Sequence, residues 1–215
     1  MPFGYPVLLE LGGRKAVVIG ETAVREGKVE GLLDGGCGHV LVIATEPAGR
    51  LAAFEADDPR VVVERRRWQP DDLDGAFVVV ASSEVGDDRA SIALESRRRG
   101  ALVNMMDDVR NCDWAAPSVV RRGDLVLAIS TGGRSPALAR RLRQELSERF
   151  GPEWVGVVQV LGAVREETLA RIPSLPERSK RWVRALDLDE AAALVREGRR
   201  DELEDRLRSR LLEGA

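Results

Sequence analysis

Histidine, cysteine, tyrosine and lysine are almost missing from this chain of 215 residues: one His, two Cys, one Tyr and three Lys. The lone His39 and the distant pair Cys37 and Cys112 exclude zinc ribbons, four-cysteine sites and His-rich cages, so no resident metal site is expected. Two thiols so far apart build no disulfide framework, which makes a reducing cytosol the expected compartment. No apolar run approaches the ~20 residues of a membrane span, and Met1-Pro2-Phe3 begins no signal peptide, so a cytoplasmic protein without a membrane partner is expected. Lys15, Lys28 and Lys180 aside, the 33 basic residues are all arginine, and 36 acids leave a net charge of −3. That balance excludes a globally basic nucleic-acid binder. The triplets Arg65-Arg66-Arg67 and Arg97-Arg98-Arg99 come without an aromatic platform or a groove helix and read as solvated faces.

What is present is a core-forming composition, 44% hydrophobic, at a length that fits one large domain or one domain with an appendage. Short β-branched runs at 16–19, 40–43, 61–63, 77–80 and 101–103 have the continuous apolar character of strands buried on both faces. Helical stretches separate them: from Gly20 to about Leu33, over 51–56, and over about 87–99. Strands alternating with helices predict a parallel sheet with right-handed crossovers, an α/β Rossmann-like domain. A further strand at 125–130 runs into Thr131-Gly132-Gly133-Arg134-Ser135-Pro136, where Pro136 opens a helix reaching about Phe150. From Glu153 onward the pattern is helical throughout. The predicted division is 1–113, 114–150 and 151–215. Residues 1–113 carry a net charge of −6 and the remainder +3.

A strand that ends in glycine and opens a helix is where a dinucleotide pyrophosphate is held, by helix N-terminal amides and the helix dipole. Here the turn reads Gly20-Glu21-Thr22-Ala23-Val24-Arg25, with only the first glycine of the G-x-G-x-x-G pattern in place. An ordinary βα turn in a non-binding domain explains it equally well. Glu46, just past the second strand, suits a ribose hydroxyl or a plain surface loop.

The densest polar stretch runs through Asn104-Met105-Met106-Asp107-Asp108, Cys112-Asp113-Trp114, Ala116-Pro117-Ser118 and Ser130 to Pro136. Asn104 and Asp107 follow the carboxyl end of a parallel strand, where ligands bind in open α/β sheets. Taken singly, Asp107 reads as a turn residue and Ser135 as a helix N-cap. Together these residues suggest a polar cleft.

The order of these features resembles the precorrin-2 dehydrogenase/sirohydrochlorin ferrochelatase family, the N-terminal half of siroheme synthases. Tyr5-Pro6-Val7-Leu8-Leu9-Glu10-Leu11-Gly12-Gly13-Arg14 is similar to the family's lead-in, and Val103-Asn104-Met105-Met106-Asp107 to its VNxxD segment. Cys112-Asp113-Trp114-Ala115-Ala116-Pro117 is similar to its C-D-[FW]-x-x-P segment. The run Ile129 to Ala139 follows ISTxGxSPxLA almost letter for letter. Two stretches depart from the family pattern. The later glycines of the first turn are missing, and Ala81-Ser82-Ser83-Glu84, with Asp88 beyond it, replaces an A-T-D-D…N segment.

The resemblance implies a Rossmann domain, a central dimerisation segment and a helical tail in an intertwined homodimer. It implies NAD as cofactor, precorrin-2 as the tetrapyrrole substrate and, in many members, Fe2+ as a second substrate inserted to give siroheme. The family's catalytic aspartate falls on Asp107. Gly20, Thr22, Ala23, Val24, Thr45, Glu46 and Ser82 are the cofactor candidates on this reading. Asn104, Ser130, Thr131, Gly132, Arg134 and Ser135 are the substrate candidates, and Thr131 stands where some members carry a phosphorylatable serine. Two other readings stay open: a chelatase whose Rossmann domain is only scaffold, and a tetrapyrrole-binding dimer without turnover. The arginine excess suits a polycarboxylate substrate, because guanidinium forks pair bidentately with carboxylates. On the helical tail the same arginines read as surface ion pairs.

Overall fold

The computed structural model of the chain describes residues 4–21, 24–47, 49–82 and 88–212. Its contacts cluster into two compact units, 1–116 and 117–215.

The first unit is a five-stranded, wholly parallel sheet in the order β3-β2-β1-β4-β5. The strands are β1 (Lys15–Ile19), β2 (His39–Ile43), β3 (Val61–Glu64), β4 (Ala76–Ala81) and β5 (Leu102–Met105). Helices α1 (Val24–Asp34), α2 (Leu51–Asp57) and α3 (Arg89–Arg98) connect them. Alternation sorts the strand side chains into two cores. Ala16, Val18, Val40, Val42, Val78 and Val80 face Val29, Leu32, Leu51 and Phe54 of α1 and α2. Val17, Ile19, Leu41, Ile43, Val79 and Ala81 face Leu73, Ile92 and Met105 on the other side. Covering both faces is what the unbroken apolar runs demanded. The order reverses between β1 and β4, which makes their carboxyl ends the topological switch point. His39, the lone histidine, opens β2 on the surface, its N–H donating to Arg14 O at 3.2 Å.

The second unit opens with an antiparallel hairpin of β6 (Ser118–Arg122) and β7 (Leu125–Ile129). Strand β6 is not legible as an apolar run, because Arg121 and Arg122 interrupt it and Val120 is its single fully buried residue. Helix α4 (Pro136–Arg149) follows, capped by Ser135, whose Oγ accepts the Leu138 N–H at 3.2 Å. Helices α5 (Trp154–Arg171), α6 (Leu175–Ala185), α7 (Leu188–Arg196) and α8 (Arg200–Leu212) enclose a core that includes Val157, Val164, Ala191, Leu203, Leu207 and Leu211. Arginine supplies the outer ties. Arg210 reaches Glu190 at 2.6 Å, Arg206 pairs with the same carboxylate, and Arg208 reaches Glu167 at 2.8 Å.

Candidate functional site

The carboxyl ends of β1, β2 and β3 surround a cleft of about 460 Å³, lined by residues that include Gly20, Glu21, Thr45, Arg66, Arg67, Trp68 and Asp88. Gly20 leaves β1 at φ 121, a conformation open to glycine and strained for any side chain, while its N–H donates to Ile43 O at 2.9 Å. The chain can therefore turn tightly across the switch point. On the other side of β1, the buried Ser82 leaves β4 with its N–H on Ile19 O at 3.0 Å.

Glu21 has a role that its sequence context does not announce. Its side chain crosses to the end of β2 and accepts the Thr45 N–H at 2.9 Å, and the Thr45 hydroxyl bonds the same oxygen. Glu46, which by sequence suits either a ribose hydroxyl or a surface loop, is exposed and is not among the residues lining the cleft. Thr22 and Ala23 lie outside the described residues, and of Val24 only the helical backbone is described.

Along the far wall Trp68 donates its indole N–H to Asp88 at 3.1 Å, presenting an aromatic body with its polar edge satisfied. Arg66 grips Asp72 with two bonds of 2.6 and 2.8 Å. That guanidinium, helped by the Gln69 N–H, holds the Asp72 carboxyl below its ordinary value. The two arginine triplets are thus not simply solvated: Arg65 pairs with Glu55, Arg66 with Asp72, Arg97 with Asp113, and Arg98 and Arg99 with Glu95. Arg67 is exposed and, among the described residues, its guanidinium has no ion-pair partner. A carboxylate, a hydroxyl, a cation and an indole around a strand-end cleft of this size suit the ribose and base of a nucleotide.

Asn104 and Asp107 sit at the carboxyl end of β5. Asn104 is buried, and its amide nitrogen donates to Trp114 O at 2.9 Å. Asp107 is exposed at φ 60, the one described residue other than glycine with positive φ. Among the described residues its carboxylate has no hydrogen-bond or ion-pair partner. Asparagine and aspartate tolerate this left-handed turn better than other side chains do, and strained residues cluster where function requires them.

The Cys112-Asp113-Trp114 segment has a structural task. Asp113 N donates to Val103 O at 2.7 Å while its carboxylate accepts Val103 N at 3.0 Å. Cys112 Sγ accepts Met105 N at 3.1 Å and donates to Met105 O at 3.0 Å, and burial pushes its thiol pKa up. The segment covers the free edge of β5, which would otherwise present unpaired backbone groups. Beside it, the Asn111 amide bonds Asp108 at 2.8 Å and lowers that carboxyl's pKa. Lys28, on α1, has its ammonium pKa lowered by burial.

The remaining candidates lie in the second unit, between β7 and α4. Gly132 and Gly133 turn at φ 62 and 78, which side chains rarely adopt. Thr131 Oγ accepts the Ser135 N–H at 3.1 Å and donates to Ser135 O at 3.2 Å, and Ser130 Oγ accepts the Gly132 N–H at 3.1 Å. The hydroxyls thus stiffen the loop from within. Arg134 projects from it, exposed and, among the described residues, without an ion-pair partner.

Comparison with known proteins agrees with this architecture. Residues 7–118 match a family described as Putative NAD(P)-binding, and residues 122–149 match one described as Sirohaem biosynthesis protein central. The chain is 31% identical over 207 residues to Siroheme synthase 1 of Pectobacterium atrosepticum, covering 96% of this chain and 42% of that protein. It is 31% identical over 211 residues to the siroheme synthase of Photorhabdus laumondii, covering 96% of this chain and 43% of that one. It therefore spans about two fifths of the length of these relatives. Among solved structures, SirC, precorrin-2 dehydrogenase, superposes with a TM-score of 0.70 at 25% identity, over 96% of this chain and 100% of that one. The chain belongs to the putative NAD(P)-binding family and, with its sirohaem central segment, to the family of precorrin-2 dehydrogenases and siroheme synthase N-terminal halves.

Proposed function

We propose that the chain is an NAD-dependent precorrin-2 dehydrogenase of siroheme biosynthesis, acting in the cytoplasm as a homodimer. The observation that carries this is the likeness to a precorrin-2 dehydrogenase along the whole of that protein, together with a nucleotide-sized cleft at the switch point. Gly20, Glu21, Thr45 and Ser82 would hold the cofactor's adenosine side, with Trp68 as its wall. A nicotinamide cofactor held there would supply the hydride acceptor, and the macrocycle must lose a proton as well. Asp107 takes that proton: an exposed carboxylate at a strand end, not committed to any described neighbour, can act as a base. Asn104, fixed by its amide bond to Trp114 O, precedes the Asp107 turn, which is tied down by Met106 N on Ala81 O and Asp108 N on Met105 O. Ser130, Thr131, Gly132, Arg134 and Ser135 form the substrate loop, where Arg134 meets the carboxylate arms of the tetrapyrrole. The same base serves a second step, Fe2+ insertion, which displaces protons from the pyrrole nitrogens.

Support for the homodimer comes from the second unit. Residues 114–150 are its dimerisation segment on this reading, between a Rossmann domain over 1–113 and a helical domain over 151–215. Helix α4 has no buried residue, Leu138 is 49% exposed, and the two-stranded hairpin covers neither of its own edges. A two-stranded ribbon is marginal by itself, and a second copy would complete it. Among the described residues, no helix is long and apolar enough to cross a membrane.

The decisive test is anaerobic incubation of the protein with precorrin-2 and NAD+. Sirohydrochlorin should accumulate with stoichiometric NADH; no product above the enzyme-free control would overturn the proposal. Adding Fe2+ to the product in the same vessel tests the chelatase step.

A further inference from the structure

The substituted glycine turn has a use of its own. In Rossmann domains the end of the second strand is where the adenosine ribose is read, by an acid that bonds the 2′-hydroxyl or by groups that receive a 2′-phosphate. In this chain that place is the Thr45 amide and hydroxyl, and both are held by a carboxylate arriving from the neighbouring turn, that of Glu21. Glu46, the other acid beside this strand end, lies on the surface and is not among the residues lining the cleft.

We propose that Glu21 is the residue that selects the cofactor. Its carboxylate accepts the ribose 2′-hydroxyl while filling, on Thr45, the position a 2′-phosphate needs, so the site admits NAD+ and rejects NADP+. This rests on the cofactor reading above and adds to it the residue that decides between the two dinucleotides. The charges around the cleft agree. Arg66, one of the two arginines in the lining, is spent on Asp72, and Asp88 adds a second carboxylate to the lining. Arg67 alone opposes the assignment, as an exposed cation on the rim that would favour the phosphate.

Direct binding separates these forces. NAD+ and NADP+ are titrated calorimetrically into the full chain and into E21Q, E21S and R67A, with melting curves to establish that each variant is folded. E21Q keeps an acceptor for Thr45 and removes only the charge; E21S frees the Thr45 amide. The unaltered chain should bind NAD+ at least ~10-fold more tightly than NADP+, and E21S should narrow that ratio by ~10- to 100-fold, as expected for one charge-assisted hydrogen bond exchanged for a repulsion. E21Q should fall between, and R67A should leave the preference for NAD+ standing. If the chain binds NAD+ but the ratio is the same in E21Q and E21S, the role of Glu21 is overturned while the cofactor reading stands. A preference for NADP+ that disappears in R67A overturns it in favour of Arg67. If the folded chain binds neither dinucleotide, the cofactor reading fails and the selection fails with it.

Discussion

The two units of this chain use apolar sequence differently. In the first, β1, β2 and β4 bury Val17, Val18, Val42, Val79 and Val80 completely, because helices cover both faces of the sheet. In the second, α5 to α8 close a core of their own, but β7 and α4 contribute no fully buried side chain. Where both faces are covered, the only irregular backbone left is at strand ends, and the polar chemistry collects there. Where a hairpin and a helix keep open edges, the surface is left for a partner to complete, and under the proposed dimer that partner is a second copy.

The contrast can be tested by single substitutions, beginning with the largest expected effect. Asp107→Ala should lower precorrin-2 oxidation by ~10²- to 10⁴-fold, the range for loss of a positioned base, while NAD+ binding by calorimetry stays intact. Unchanged turnover would remove Asp107 from the chemistry. Ile43→Ala, in the doubly covered sheet, should cost about 2–5 kcal/mol in urea unfolding, as for other fully buried large-to-small changes. Leu138→Ala, on the half-open helix, should cost under about 0.5 kcal/mol within one chain but weaken the dimer, seen as a concentration-dependent mass in sedimentation. Equal unfolding costs for Ile43 and Leu138 would erase the contrast between the units. Arg134→Ala should raise the Michaelis constant for precorrin-2 about tenfold with little change in maximal rate, if the loop meets the substrate's carboxylates as proposed.

The smallest effect expected is a shared response to acid. Arg66 depresses the Asp72 carboxyl in the first unit, and Arg210 and Arg206 depress Glu190 in the second. A carboxyl whose folded pKa lies below its unfolded value binds fewer protons when folded. Its contribution is complete above the ordinary carboxylate range, near pH 4, and is lost as pH falls through the depressed value. Unfolding free energy measured from pH 6 to pH 2.5 should therefore decline in the unaltered chain, and less steeply in D72N and E190Q.

Much of this protein could be read from its residues because its first unit obeys a simple rule: a strand buried on both faces has no polar positions to spare. The five strands at the front of the chain announced themselves that way, whereas the helix entered at Pro136 did so by the proline in its first turn and by Leu138, Leu142 and Leu146 in four-residue steps. Strand β6 did not, because half of it faces outward and carries charge. The candidate site was legible in part. Asp107, Gly20 and Thr45 stand out by their places after strands. Glu21 reads only as a defect in a glycine pattern, since nothing local says that its side chain crosses to β2; a charged residue in a turn that calls for glycine was the available signal.

By itself, then, the order of apolar runs and turns determined the fold class, the parallel sheet and the strand ends where ligands gather. These follow from periodicity and chain connectivity, which are local. The tertiary structure alone decided that Glu21 rather than Glu46 faces the cleft, that Asp113 closes the β5 edge, and that every described arginine of the two triplets except Arg67 pairs with a carboxylate. Each of those is a meeting of side chains from separate elements, and the geometry that joins them exists only once the sheet has formed.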